Sequence, residues 1–393
     1  MNKIDHISNL PNPILHHILS FLSTKEAVRT CVLSKRWVNL WVFLPSLVLD
    51  SKGNESNFEK FVDCVFRRRE SLHLDSFKIS YNGDPKILKK WLLHALKFQP
   101  KSLSVVSTIL PLALPGAVFR CESLEELVLD MPYLEFESMP ALRPRSISLS
   151  HLRRLKIDAV VRLGNDSINR LMFGCPLLEE LSIAGCELES LMISSDVLKH
   201  LYIGSCGHQE KICIRTPNLL SLELYEALLG GYTFIDMTSL VKAVIGFGGF
   251  LDKHDYLWGD PYENADVLGA LSNVTHLKLY GEAVQAFLQK EILYCPTFNN
   301  LRSLYCWTDD TFYPIAGFLL STFNLEKLTL FYTECCISSG RCDDYYDTRP
   351  IDPSFWCSSL KEIEILGDKY ETKRLVKEIL AYNENHDTKI IHA

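Results

Sequence analysis

Few side chains in this sequence have types and spacing suited to chemistry. His16 and His17 are adjacent, Asp309-Asp310 and Asp343-Asp344 form acidic pairs, and Cys335, Cys336 and Cys342 form a cysteine cluster. A divalent cation needs several converging oxygen ligands, and an acidic pair on a loop is more often simply solvated. The three cysteines lack C-x-x-C spacing and a second matching pair, so they do not make a zinc site. His16-His17 falls in a helical stretch and fits a surface role. The sequence contains no G-x-S-x-G, H-E-x-x-H or P-loop, and no G-x-G-x-x-G in a strand–helix context. We therefore expect no catalytic residue, no metal and no cofactor.

The elements that would position any site start at the N-terminus. Asn12-Pro13 reads as a helix start, with Asn as the cap and Pro in the first turn. Ile14, Leu15, Ile18, Leu19 and Leu22 then recur at helical spacing. Ser23-Thr24-Lys25-Glu26 fits a capping box for a second helix. Ser34 is placed to cap a third, carrying Trp37, Leu40 and Trp41 on one side. So small a bundle cannot bury all these side chains internally. Either the excess apolar surface meets another protein, or the bundle caps the following domain. Periodicity leaves both open.

Residue similarity favours the first reading. Leu10-Pro11-Asn12-Pro13-Ile14-Leu15, Ile18-Leu19-Ser20-Phe21-Leu22 and the run from Thr24 to Trp37, ending in Leu40-Trp41, resemble an F-box over roughly residues 4–45. The resemblance implies docking on a Skp-family adaptor and, through it, on a cullin–RING ubiquitin ligase. The implied adaptor contacts are Leu10, Pro11, Ile14, Leu15, Ile18, Val32, Leu33, Ser34 and Trp37, some of which are expected to be module core.

Beyond residue 100 the pattern L-x-x-L-x-L recurs. Copies begin at Leu124, Leu152, Leu178, Leu198, Leu219, Leu301 and Leu325, with variants at Val274 and Leu360 and a further match at Leu188. Several steps are 24 to 28 residues, the range of leucine-rich repeats. One such unit cannot cover its own apolar face, and stacked units share a continuous core. The ten-residue steps at Leu178, Leu188 and Leu198 are too short for strand plus helix and suggest strand and loop. The 55-residue gap from Leu219 to Val274 suggests merged units or an insertion holding Gly246–Gly249 and the polar stretch 252–264. Residues 58–69 and 87–98 read as amphipathic helices, with an imperfect repeat strand at Leu74–Ile79, and Ser167–Phe173 is a helical candidate. Arg67-Arg68-Arg69 reads as a solvated helix face.

The repeats resemble those of plant F-box proteins, through Leu44-Pro45-Ser46-Leu47-Val48-Leu49-Asp50, Cys121-Glu122-Ser123-Leu124 and Gly174-Cys175-Pro176-Leu177-Leu178-Glu179-Glu180-Leu181. At the C-terminus, Cys357-Ser358-Ser359-Leu360-Lys361-Glu362-Ile363 and Leu375-Val376-Lys377-Glu378-Ile379-Leu380 resemble the FBD module. A strand near 360–365, a helix over 371–382 and a short strand at 389–391 are expected there, sealing the end of the array. The fold class is thus α/β: a three-helix F-box (residues 1–50), an irregular leucine-rich-repeat solenoid (51–350) and an FBD-like cap (351–393).

Composition narrows the function. The chain is 47% hydrophobic and 23% charged, with formal net charge -7. Residues 1–50 carry +2 and the remainder -9, a basic head on an acidic body. No basic field suggests nucleic acid. No secretory signal or membrane span is apparent, since the apolar stretch Leu110–Phe119 is short and holds two prolines. The 13 cysteines are expected as free thiols, with Cys121, Cys175 and Cys186 acting as small core hydrophobes. The combined reading is a non-catalytic substrate receptor of an SCF-type ubiquitin ligase in cytoplasm or nucleus, binding an unknown protein target. A scaffold without ubiquitination and a small-molecule-sensing receptor are the alternatives.

Overall fold

The structure is a computed structural model. It describes residues 7–52, 55–71, 73–108, 114–131, 144–159, 161–189, 191–208, 212–225, 232–247, 267–281, 284–291, 295–308, 312–332, 359–367, 372–382 and 388–392. The acidic pairs at 309–310 and 343–344, the cysteines at 335, 336 and 342, and the polar stretch 252–264 lie outside these residues. The chain divides into two compact units, Met1–Glu187 and Leu188–Ala393.

In the first unit, helices α1 (Asn12–Ser20) and α2 (Thr24–Arg29) stand at the expected places. The capping box of α2 forms as read: the Glu26 N–H donates to Ser23 Oγ, and Glu26 Oε2 accepts from the Ser23 backbone. Two expectations are corrected. Asn12 does not cap α1; Pro11 occupies that position, and the Asn12 amide oxygen accepts from Arg36 instead. The third helix is replaced by a 3-10 helix, Trp37–Phe43, with Arg36 rather than Ser34 at its N-cap; it buries Trp37, Leu40, Trp41 and Val42, and a 3-10 turn, Thr30–Val32, precedes it.

Five strands follow in parallel register: β1 (Ser46–Asp50), β2 (Ser76–Ser80), β3 (Ser102–Val106), β4 (Glu126–Met131) and β5 (Arg154–Ala159), and Glu180–Ala184 pairs with β5. Alternate residues point inward, so Leu47, Phe77, Leu103, Leu127, Leu155 and Leu181 make one buried row across the ladder. Helices α3 (Glu55–Arg68) and α4 (Pro85–Leu96) connect β1 to β2 and β2 to β3. Arg69 departs from the solvated face expected of the basic run. It is buried just past α3, with its guanidinium donating to the carbonyls of Leu44 (2.7 Å) and His73 (2.5 Å) and lying over the Phe98 ring. Arg67 and Arg68 are exposed.

The second unit repeats the arrangement. His200–Gly204, Ser221–Tyr225, Lys242–Gly246, His276–Tyr280, Ser303–Thr308, Lys327–Tyr332, Glu362–Leu366 and Lys389–His392 pair in parallel, each with the next. Lys242–Gly246 fills the apparent gap between Leu219 and Val274. Its repeat starts at Leu240 and escaped the leucine pattern because Ala243, fully buried, replaces the central leucine. The short steps also resolve. Leu191–Ser194, Ile212–Arg215 and Tyr232–Ile235 form a second parallel sheet, taking the place of helices in units of about 20 residues. The match at Leu188 leads into the first of these strands rather than into the main ladder. Helices return at Val267–Leu271, Val284–Glu291, Tyr313–Leu319 and Lys373–Tyr382. Among the described residues no helix is long and apolar enough to cross a membrane.

Candidate adaptor-docking surface

The N-terminal module sorts its apolar residues into core and surface. Leu15, Leu19, Ala27, Trp37, Leu40 and Trp41 are buried; Leu15 is 0% and Trp37 3% exposed. Of the residues expected to touch an adaptor, Leu15 and Trp37 are therefore core, and Leu10 and Ser34 are half-buried. Pro11, Ile14, Ile18, Val32 and Leu33 reach solvent, Val32 and Leu33 being 83% and 61% exposed. Ile14, Ile18 and Phe21 follow one another along one side of α1, at steps of four and three residues. Phe21, 75% exposed with its ring 4.9 Å from that of His17, was missed from sequence because its spacing also suits a core position. Ile7, Val38 and Phe43 are exposed as well.

A polar clamp joins the two halves of this surface. The Arg36 guanidinium donates to the carbonyls of Ser8 and Leu10 and to Asn12 Oδ1. Trp37 Nε1 donates to Ser8 Oγ (2.9 Å), which lies 3.2 Å from Ser34 Oγ. The turn carrying Leu10 and Pro11 is thereby held to the segment carrying Ser34, directly after Val32 and Leu33. Exposed aliphatic side chains presented on a hydrogen-bonded frame are suited to burial against a partner protein. Hydrogen bonds from the Ser23 side chain and backbone lower the Glu26 carboxyl below its ordinary value.

The thiols show no comparable activation. Cys121, Cys175, Cys186 and Cys306 are buried thiols, and burial pushes Cys175 up to about 12 and Cys306 upward as well. Among the described residues no group of His, Cys, Asp and Glu is disposed to hold a metal ion.

A helical module with solvent-facing aliphatics, followed by parallel strands at repeat spacing, defines a leucine-rich-repeat protein with an N-terminal helical module. Comparison with known proteins agrees. Residues 7–48 match the F-box domain, and residues 88–243 match the leucine-rich repeats of the FBD-associated F-box protein At5g56370. The F-box/LRR-repeat protein At4g14096 of Arabidopsis thaliana is 31% identical, over 92% of this chain and 81% of that protein. F-box/LRR-repeat protein At4g14103 is 30% identical over 86% and 94%, and FBD-associated F-box protein At4g10400 is 28% identical over 83% and 77%, both from the same plant. The chain belongs to the F-box/LRR-repeat family.

Proposed function

We propose that this protein is a non-catalytic substrate receptor of an SCF-type ubiquitin ligase, working in cytoplasm or nucleus. The F-box docks on a Skp-family adaptor, and a leucine-rich solenoid, ended by the FBD-like strands of the tail, holds a protein target within reach of the ligase. Transfer then follows from proximity. The observation that carries the reading is the apolar surface on the F-box: Ile14, Ile18, Val32 and Leu33 are exposed although the module has a buried core of its own. Leu10 and Pro11 extend that surface, and Ser34 supports it through Ser8. Leu15 and Trp37 contribute from beneath, by fixing the frame.

The test is binding of the full chain to a Skp-family adaptor. Val32→Asp/Leu33→Asp is expected to weaken binding at least a hundredfold with unchanged unfolding temperature, because it places charge in an apolar contact. Leu10→Ala/Pro11→Ala is expected to weaken it less. A folded wild-type chain that binds no adaptor would sink the proposal.

A further inference from the structure

In the second unit the outward face of the sheet carries a line of aromatic side chains. Gly204, Tyr225, Gly246, Tyr280, Trp307 and Phe331 occupy one row across six adjacent strands. Ring contacts run along it: Tyr202–Tyr225 at 5.1 Å, Tyr225–Tyr280 at 5.3 Å, Tyr280–Trp307 at 6.0 Å and Trp307–Phe331 at 4.9 Å. The two glycines make the line continuous. A Cβ at Gly246 would fall 2.4 Å from the Tyr280 ring, which leans across that strand to reach Tyr225. A Cβ at Gly204 would fall 2.6 Å from the Tyr202 hydroxyl. All these rings remain partly exposed.

Two lysines lie beside this line. Lys278 Nζ sits 4.4 Å from the Tyr305 ring centre and 5.6 Å from that of Tyr280, and Lys242 lies opposite His276 on the neighbouring strand. Neither lysine has a carboxylate partner among the described residues. Of the carboxylates on the same face, Glu362 and Glu364 pair with Lys327 (2.7 and 2.8 Å), whereas Glu223 accepts from the neutral Tyr225 hydroxyl (3.2 Å) and sets one negative charge against the two lysines. The line crosses five strand spacings, about 24 Å, the length of about seven extended residues. That is too long for one small ligand.

We propose that this face binds an extended acidic peptide segment of the target, its apolar or aromatic side chains stacking on the ring line and its carboxylates meeting Lys278 and Lys242. Stacked rings supply area at low conformational cost, and a lysine already held over rings adds charge selectivity. The inference rests on the reading that the repeats hold a target.

The experiment uses the full chain on immobilised heptapeptides of four compositions: acidic with Phe and Leu, acidic with Ala and Ser, basic with Phe and Leu, and neutral with Phe and Leu. Retention is expected to be at least tenfold higher for the acidic–aromatic set than for the basic set. Lys278→Glu, at an exposed position, should reverse that order. Gly246→Ala, which removes no aromatic, should lower retention severalfold by displacing Tyr280. The unfolding temperature of each variant, measured in parallel, reports folding. Equal retention of acidic and basic sets, or a Lys278→Glu protein that unfolds at the wild-type temperature and selects peptides as wild type does, overturns the inference. Peptide selection by a chain that binds no adaptor would instead overturn the ligase reading and leave the acidic-peptide face standing.

Discussion

Arg36 and Arg69 do similar work on either side of β1: each aims a guanidinium at backbone carbonyls that no strand or helix satisfies. Arg69 does so while buried. Burial pulls it down to about 10 against an upward pull from Asp75, which still leaves it charged at neutral pH. Asp63 on α3 shows the acidic counterpart. Burial raises its carboxyl, but hydrogen bonds from Trp91 Nε1 (2.8 Å) and Lys90 Nζ (2.9 Å), with the Lys90 and Arg67 charges, outweigh it and hold the group below its ordinary value of 3.8. A depressed acid contributes stability above its unfolded value and loses it as pH falls through the folded value. Unfolding temperature scanned from pH 5 to pH 2.5 should therefore fall more steeply for wild type than for Asp63→Asn, and parallel curves would refute this role for Asp63.

At the scale of elements, a hydrogen bond joins α2 to β1. β1 is the first strand of its ladder, and an edge strand leaves N–H groups unpaired. Thr24, the first residue of α2, is buried and accepts the Val48 N–H on its Oγ1 at 2.8 Å. The F-box thus packs on the first strand of the repeat sheet, the second of the two roles left open by the periodicity. Thr24→Val keeps the shape and orphans that N–H; it is expected to cost about 1–3 kcal/mol in chemical denaturation. Thr24→Ser should retain most of the stability. Equal loss from both would assign the effect to packing rather than to the hydrogen bond.

At the scale of the molecule, the tail adds two strands to the ladder of its unit: Glu362–Leu366 pairs with Lys327–Tyr332, and Lys389–His392 pairs with Glu362–Leu366. Removing residues 359–393 would bare the Lys327–Tyr332 edge, including the buried Leu328 and Leu330, and strand Lys327 without Glu362 and Glu364. Repeat arrays depend on such terminal protection. The truncated chain is expected to form large species in size-exclusion chromatography at concentrations where the full chain does not; identical elution would show that the tail is dispensable for solubility.

By itself the sequence specified most of this architecture, because local rules sufficed: a capping box at Ser23–Glu26, helical periodicity over residues 14–22, and leucines at two-residue alternation that can only face a shared core. Every strand that follows a leucine-rich copy from Leu124 to Leu360, apart from the extra match at Leu188, lies where its repeat predicted it. Tertiary structure decided what local spacing cannot. Ala243 serves where a leucine was sought, because neighbouring strands already fill the layer. Asn12 gives up its cap because Arg36, distant in sequence, claims its oxygen. Arg69 is buried because carbonyls from both sides of it converge on its fork. The division of the F-box aliphatics into Leu15 beneath and Ile14, Ile18, Val32 and Leu33 above, and the joining of five rings over two glycines, depend on which strands and turns become neighbours, and that is settled only when the whole core packs.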